Sequence, residues 1–255
     1  MSPTTFEIHT QLETPQANTS DMLLLDRVLE HGPQALIWQG SQGLVVPRTY
    51  ERNPNFSASQ QALADAGWPI EVRQSGGGVV PQGPGVWNLS LSWRQYGKPF
   101  DLAQSAYPFI CRILQQALEQ CGIESSPQAV EGSFCDGRFN LAVGRGPYQK
   151  IVGTAQIWRL APPPPHYANH PRQPGNPTAW HVGLVHAVIL MDINEKALTL
   201  KTNLVEQLLH QPRRYAADKI CSLARLGLEA TDFLQALQQV LSQQPPPHDQ
   251  GWPLP

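Results

Sequence analysis

The chain has 255 residues, 41% of them hydrophobic, and a formal net charge of −2 from 18 basic and 20 acidic side chains. A chain of that length buries a sizeable core without disulfides or metals. Its charge balance gives no whole-chain attraction to nucleic acid or to an anionic membrane surface. No apolar run approaches a membrane span, and the opening Met-Ser-Pro-Thr-Thr-Phe-Glu-Ile-His lacks a basic-then-apolar secretory pattern, so a cytoplasmic protein is expected. The four cysteines, Cys111, Cys121, Cys135 and Cys221, form no CxxC pair and no zinc-like cluster, so no structural metal is expected.

In chain order, Asp21 to Glu30 carries Met22, Leu25, Val28 and Leu29 at helical spacing, with Ser20 or Asp21 as cap and Gly32-Pro33 as stop. Ala35 to Trp38 and Gly43 to Pro47 flank Gly40-Ser-Gln-Gly43 and read as a β-hairpin. Ser57 to Ala66 reads as a helix ended by Gly67, and Ile70 to Arg73 as a strand. Val86 to Trp93 alternates, with Trp87, Leu89 and Leu91 on one face and Asn88, Ser90 and Ser92 on the other. Tyr107 to Cys121 reads as a helix with Pro108 in its first turn. Its stripe of Ile110, Leu114, Ala117 and Leu118 takes in Cys111 and Cys121 as small hydrophobes. Ala129-Val130, Asn140 to Val143, Ile151 to Trp158 and Leu184 to Asp192 are strand candidates; Asp218 to Leu226 and Thr231 to Leu241 are helix candidates, the last capped by Thr231. Hairpins mixed with separate helices predict an α+β fold with a mixed, largely antiparallel sheet. Residues 161–177 hold seven prolines and read as a surface insertion in a domain spanning 1–242; residues 243–255 read as a proline-rich tail.

Three segments carry chemistry. Arg73-Gln-Ser75-Gly76-Gly77-Gly78 puts three glycines between β-branched runs, where the backbone can lie against a ligand, behind an arginine able to hold an anion. No Lys-Ser/Thr follows, so it is not a P-loop. Cys135 lies between Gly132 and Gly137 on a tight loop, where a thiol is better exposed than on a helix stripe. Lys150 precedes Ile-Val-Gly153-Thr-Ala155-Gln156, a setting that encloses an ammonium, which is costly unless it meets an anion or a carbonyl. On its own each motif has a bland reading: a hairpin, an inert loop cysteine, a strand-edge lysine. His166, His170 and His181 lie in or beside the proline-rich stretch, no acidic residue repeats with them along the sequence, and no metal site is expected there.

Taken together and in this order, the motifs resemble the lipoate–protein ligase and octanoyl/lipoyl transferase superfamily, which also includes biotin–protein ligases. The arginine and Ser/Thr-Gly-Gly-Gly loop are matched by Arg73 and Ser75 to Gly78, and Lys-x-x-Gly-x-Ala-Gln by Lys150, Gly153, Ala155 and Gln156. The later His-Gly on a strand is matched in part by His186-Ala187. Gly-Ser-Phe-Cys-Asp-Gly at 132–137 and Gly-Val-Trp-Asn-Leu-Ser at 85–90 resemble the cysteine-dependent amidotransferase branch. The departures are Gln82-Gly83, where many ligases have His-Asp, and Asn140, where many have an aspartate; they count against a Mg²⁺-bound adenylate.

The resemblance implies Cys135 as nucleophile and acyl carrier, with Lys150 favouring the thiolate and the carbonyl's developing charge. It implies that Arg73, Ser75, Gly76, Gly77, Gly78, Gly153, Ala155 and His186 contact the substrate, with the glycines as floor and Val79, Leu89 and Leu91 as walls of an acyl tunnel. It implies an octanoyl or lipoyl group moved between lipoyl-carrier proteins, with acyl carrier protein as a further donor, by a monomer that needs no cofactor. Two alternatives stay open: an ATP- and Mg²⁺-dependent lipoate–protein ligase, and a non-catalytic binder of lipoate or its carrier domain on the same scaffold.

Overall fold

The computed structural model describes residues 5–18, 20–165 and 178–247. Seven strands form the larger sheet: β1 (Glu7–Gln16), β2 (Gln34–Gly40), β6 (Val86–Gly97), β10 (Ala179–Leu190), β9 (Gln149–Leu160), β8 (Leu141–Val143) and β7 (Ser126–Pro127), in that spatial order. Only β1 and β2 pair parallel; the other neighbours are antiparallel. A three-stranded sheet has β3 (Gly43–Pro47) at its centre, parallel to β4 (Ile70–Arg73) and antiparallel to β5 (Val80–Gln82). The helices are α1 (Leu23–His31), α2 (Phe56–Asp65), α3 (Pro99–Gln120), α4 (Glu195–Leu208) and α5 (Ala230–Gln243). This is the α+β class expected. No described helix is long and apolar enough to cross a membrane.

The alternation in β6 sorts as expected. Trp87, Leu89 and Leu91 face the principal core with Ile110, Leu114 and Leu118 of α3 and Phe233 and Leu237 of α5. Asn88, Ser90 and Ser92 are buried as well, which alternation alone does not predict. Their polar groups are satisfied: Ser90 Oγ accepts from Trp38 Nε1 at 3.0 Å, and Ser92 Oγ donates to the Gly183 carbonyl at 2.8 Å. The second face of the large sheet is therefore covered too, by α1, α4 and the small sheet.

Several local expectations are corrected. The Ala35–Trp38 and Gly43–Pro47 runs are not a hairpin: β2 and β3 belong to different sheets, and Gly40–Gly43 carries the chain from one to the other. The third helix begins at Pro99, so Pro108 lies inside it and forfeits one intrahelical bond rather than starting the helix. Ala129-Val130 is irregular, and the short edge strand is Ser126–Pro127 instead. Asp218 to Leu226 holds two separate 3₁₀ turns, Ala217–Lys219 and Ala224–Leu226, not one helix. The caps differ as well: α5 starts at Ala230, with Glu229 at the cap position making no side-chain cap and Thr231 already inside the helix, and α1 follows a 3₁₀ turn, Ser20–Met22, whose Asp21 carboxylate is engaged elsewhere. Strands β1 and β5 and helix α4, capped by Asn194 accepting from the Ala197 N–H, carry no clear apolar period and escaped the pattern reading. Of the proline-rich insertion only residues 161–165 are described, without regular structure; His166, His170 and the end of the tail lie outside the described residues.

Candidate active site

A cavity of about 460 Å³ lies between the two sheets. Its floor is the outward face of the large sheet. Residues one strand apart line up across it by register: Trp38 on β2, Asn88 on β6, Val188 on β10 and Gly153 on β9 form one row, with His186 and Ala155 in the next and Leu184 and Ile157 in a third. Val45, Val72 and Val80 of the small sheet supply the roof, and Met22 before α1 adds to one side. The lining is mostly apolar, with polar groups gathered at Cys135, Lys150, Arg73, Ser75 and His186 and at a far wall of Asn18, Gln82 and Asn88. Gln82 and Asn88 exchange amide hydrogen bonds of 2.9 Å each way, which satisfies both where they are buried.

Lys150 reaches this face through a bulge. Leu141 pairs with Val152 but Ala142 pairs with Lys150, so β9 spends one extra residue there. The extra residue reverses the alternation. Lys150 and Gly153, three apart, thus share the cavity face with Ala155 and Ile157, whereas Ile151 and Val152 join the principal core. Lys150 is fully buried. Its ammonium donates to the carbonyls of Phe134 (2.6 Å) and Cys135 (3.0 Å) and sits 4.8 Å over the Phe134 ring. Burial drives its pKa down to about 8, against the opposing pull of Cys135 and Asp136. A Cβ on Gly153 would lie 2.8 Å from the Lys150 nitrogen, which gives the Lys-x-x-Gly spacing its physical reason.

Cys135 sits in the loop before β8 with φ +50, a left-handed conformation uncommon for a non-glycine residue. Three donors hold its carbonyl: the Lys150 ammonium, the Asn140 side-chain amide (2.9 Å) and the Gly137 N–H (2.9 Å). Its sulfur accepts from the Gly78 N–H at 3.3 Å. The glycine loop, expected as the floor of a tunnel, instead wraps the thiol. A Cβ on Gly77, whose φ is +111, would come within 2.7 Å of Cys135 Sγ and 2.9 Å of an Arg73 nitrogen, whereas one on Gly76 would meet nothing.

Arg73, at the end of β4, is buried and folds this loop around itself. Its guanidinium donates to the carbonyls of Val45 (2.9 Å), Gly76 (2.9 Å) and Gly78 (2.7 Å). Burial lowers its pKa, and Cys135 pulls the other way. Among the described residues neither Arg73 nor Lys150 has a carboxylate at ion-pair distance. Two desolvated cations beside one thiol leave positive charge that an anion at sulfur would offset. Behind the loop, Glu206 accepts from Tyr50 (2.8 Å) and Tyr215 (2.6 Å), and the Tyr215 oxygen lies 3.7 Å from where a Gly78 Cβ would stand.

Nine of the ten residues singled out in the sequence cluster at the cavity and the thiol, though not in the arrangement first drawn; Gly76 is exposed and lines nothing, its carbonyl held by Arg73. Cys135, Lys150, Arg73, Ser75, Gly153, Ala155 and His186 line the cavity; Gly77 and Gly78 press on the thiol from behind. Val79, Leu89 and Leu91 are not its walls: Leu89 and Leu91 face the opposite core, and Val79 packs under the small sheet. Cys111 is buried on α3 with its pKa pushed up to about 12, an inert thiol as expected, and Cys121 is half-buried at the end of that helix. Missed altogether was Asp21, which accepts from His186 Nδ1 at 2.8 Å, while His186 Nε2 meets Ser75 Oγ at 3.1 Å.

Comparison with known proteins bears on the family and the fold. Residues 18–159 match the model of the lipoyl protein ligase A/B catalytic domain. An uncharacterized protein of Cupriavidus necator is 35% identical over 239 residues, 89% of this chain and 91% of its own. An octanoyl-GcvH:protein N-octanoyltransferase of Kyrpidia tusciae is 37% identical over 140 residues, 54% of this chain, so the match spans only 47% of that enzyme. Among solved structures, a lipoate-protein ligase A bound with ATP aligns with a TM-score of 0.61 over 93% of this chain and 85% of that one, at 14% identity. A bipartite archaeal lipoate protein ligase from Thermoplasma acidophilum gives 0.56 over 93% and 83%, at 16% identity. At such identities these likenesses show the fold.

Proposed function

This chain belongs to the lipoyl protein ligase A/B catalytic-domain family, and on that premise we propose that it is an acyltransferase that carries an octanoyl or lipoyl group on Cys135 and delivers it to the lysine of a lipoyl-carrier protein. The observation that carries the reading is the setting of Cys135: a cavity-facing sulfur that receives the Gly78 N–H, beside two buried cations with no carboxylate at ion-pair distance among the described residues. A protein that only bound lipoate could use that charge for the carboxylate but would have no need of the thiol.

In this mechanism the Cys135 thiolate attacks the acyl carbonyl, the donor leaves, and a thioester remains on the enzyme. The acceptor lysine then attacks the thioester and restores the thiolate. Arg73 and Lys150 supply positive potential where negative charge develops. The apolar floor and roof hold the acyl tail, each buried CH₂ contributing about 0.8 kcal/mol before ordering costs. Transfer of an acyl group already bonded to a carrier, as amide or thioester, exchanges one acyl bond for another and needs no ATP or Mg²⁺. Asn140 supports that view: its amide is committed as a donor to the Cys135 carbonyl, a bond that the ligase-type aspartate, an acceptor when ionised, would not make. The match to the Kyrpidia enzyme, whose name specifies octanoyl transfer from GcvH, supports a carrier protein as donor.

Incubation with octanoyl-loaded carrier protein, followed by intact mass measurement with and without ATP, tests the reading. The wild type gains one octanoyl mass without ATP, and Cys135→Ala gains none. An adduct that survives Cys135→Ala, or pyrophosphate release that depends on free lipoate and ATP, would sink it in favour of the ligase alternative.

A further inference from the structure

We propose that Asp21, His186 and Ser75 form the proton-transfer chain of this site, and that His186 protonates the departing lysine nitrogen when the acyl donor is an amide. The inference rests on the Cys135 acyl-transfer reading and extends it to the chemistry of the leaving group.

Three separate segments build the chain: the 3₁₀ turn after β1, the glycine loop and β10. His186 Nδ1 is 2.8 Å from Asp21 Oδ2, and His186 Nε2 is 3.1 Å from Ser75 Oγ. An ionised carboxylate only accepts, so Nδ1 carries a proton and Nε2 is the nitrogen left to exchange one. Asp21 and Ser75 are each 4% exposed, and all three residues line the same cavity as Cys135. Three residues beyond Ser75, the Gly78 N–H donates to the cysteine sulfur at 3.3 Å, so the relay and the nucleophile are joined through one loop. A histidine with only a packing role would be satisfied by the aspartate; this one turns its second nitrogen to a hydroxyl in the cavity wall.

The other cations are committed. Arg73 spends its hydrogen bonds on three backbone carbonyls, and Lys150 binds two. Yet an amide donor needs an acid that a thioester donor does not. When the Cys135 sulfur adds to an amide carbonyl, the C–N bond breaks with its electron pair going to nitrogen, and that nitrogen must take a proton to leave as an amine. The imidazolium of His186 gives it from Nε2, directly or through the Ser75 hydroxyl, and becomes neutral while Asp21 holds the ring. In the second half the neutral acceptor amine forms a C–N bond to the thioester carbon. The C–S bond then breaks with its pair going to sulfur, and the proton lost from nitrogen returns to Nε2. Thioester donors release a thiolate and need no such proton. His186 is thus a catalytic residue for amide donors, and Asp21 a positioning residue that fixes its tautomer.

Single-turnover acylation of Cys135 distinguishes the two donors: an octanoyl-lysine carrier domain and an octanoyl thioester of pantetheine, each read by intact mass. In His186→Gln the ratio of amide to thioester rate falls by roughly 10²- to 10⁴-fold, the range of general acid–base catalysis, and Asp21→Asn moves the ratio in the same direction. Thermal unfolding of each variant reports that it is folded, and the donor ratio cancels any loss common to both donors. Equal losses with both donors would overturn the proton-transfer role and leave only a packing one, and so would an octanoyl adduct mapped to Ser75. Absence of any adduct in the wild type with either donor would instead defeat the Cys135 reading, and this assignment with it.

Discussion

Replacing Lys150 with methionine separates what the site costs from what it does. The side chain is fully buried, and burial brings its pKa from 10.5 down to about 8. Below that value both folded and unfolded chains carry the ammonium, and the fold bears the whole penalty of hiding it. Between the folded and unfolded values the unfolded chain binds the extra proton, so stability rises with pH across that window. The penalty is roughly 3 kcal/mol at neutral pH and falls to about 1 kcal/mol near pH 9.5. Methionine removes it at all pH values and leaves the Phe134 carbonyl without its donor, a loss of about 1–3 kcal/mol. Lys150→Met is therefore about as stable as wild type at neutral pH, or up to about 2 kcal/mol more stable. Urea unfolding of both proteins at pH 7 and 9.5 measures this, with other titrations cancelling in the difference. Wild type gains about 2 kcal/mol on the variant as pH rises. Acylation of Cys135 in the variant is at least tenfold slower throughout. A stability difference that stays constant with pH would refute the depressed lysine, and full acylation would remove it from the chemistry.

Two further substitutions probe how the thiol is held. Gly77→Ala places a methyl against Cys135 Sγ at a backbone angle that side chains rarely adopt; stability falls by about 1–3 kcal/mol and octanoyl transfer falls further than that loss explains, and unchanged transfer in the mass assay would show that the loop does not shape the nucleophile. Asn140→Asp turns a donor to the Cys135 carbonyl into an acceptor; thermal unfolding shows a loss of about 1–3 kcal/mol, and pyrophosphate assays show no gain of ATP-dependent lipoate activation.

Much of this site was legible because its chemistry is carried by motifs whose order along the chain matters more than their folding detail. What the sequence hid was geometry set by long-range pairing. Periodicity cannot show the β9 bulge, which is what brings Lys150 and Gly153, three residues apart, to one face. It also cannot say which side of a strand buried on both faces looks into a cavity; Leu89 and Leu91 read as tunnel walls for that reason, while the smaller Ala155 and Gly153 across the sheet leave the space. Asp21 looks like a helix cap from its neighbours, and only a contact across 165 positions reveals its histidine. The short run between Trp38 and Gly43 reads locally as a hairpin, and only the competition between two sheets for its flanking strands decides otherwise.

That division into two sheets separates tasks. Lys150, Gly153 and His186 all stand on the large sheet, whereas the roof strands β3, β4 and β5 contribute valines, Gln82 and Arg73 to the cavity. Under the proposed reading Arg73 is the roof's contribution to reactivity, and the valines beside it serve the tail, so the two tasks can be varied at different positions. Swapping Val45 or Val80 for bulkier or smaller side chains would retune which acyl tails fit without replacing Arg73 or any reacting group of the large sheet, so divergence in substrate length has a route that leaves the reaction intact.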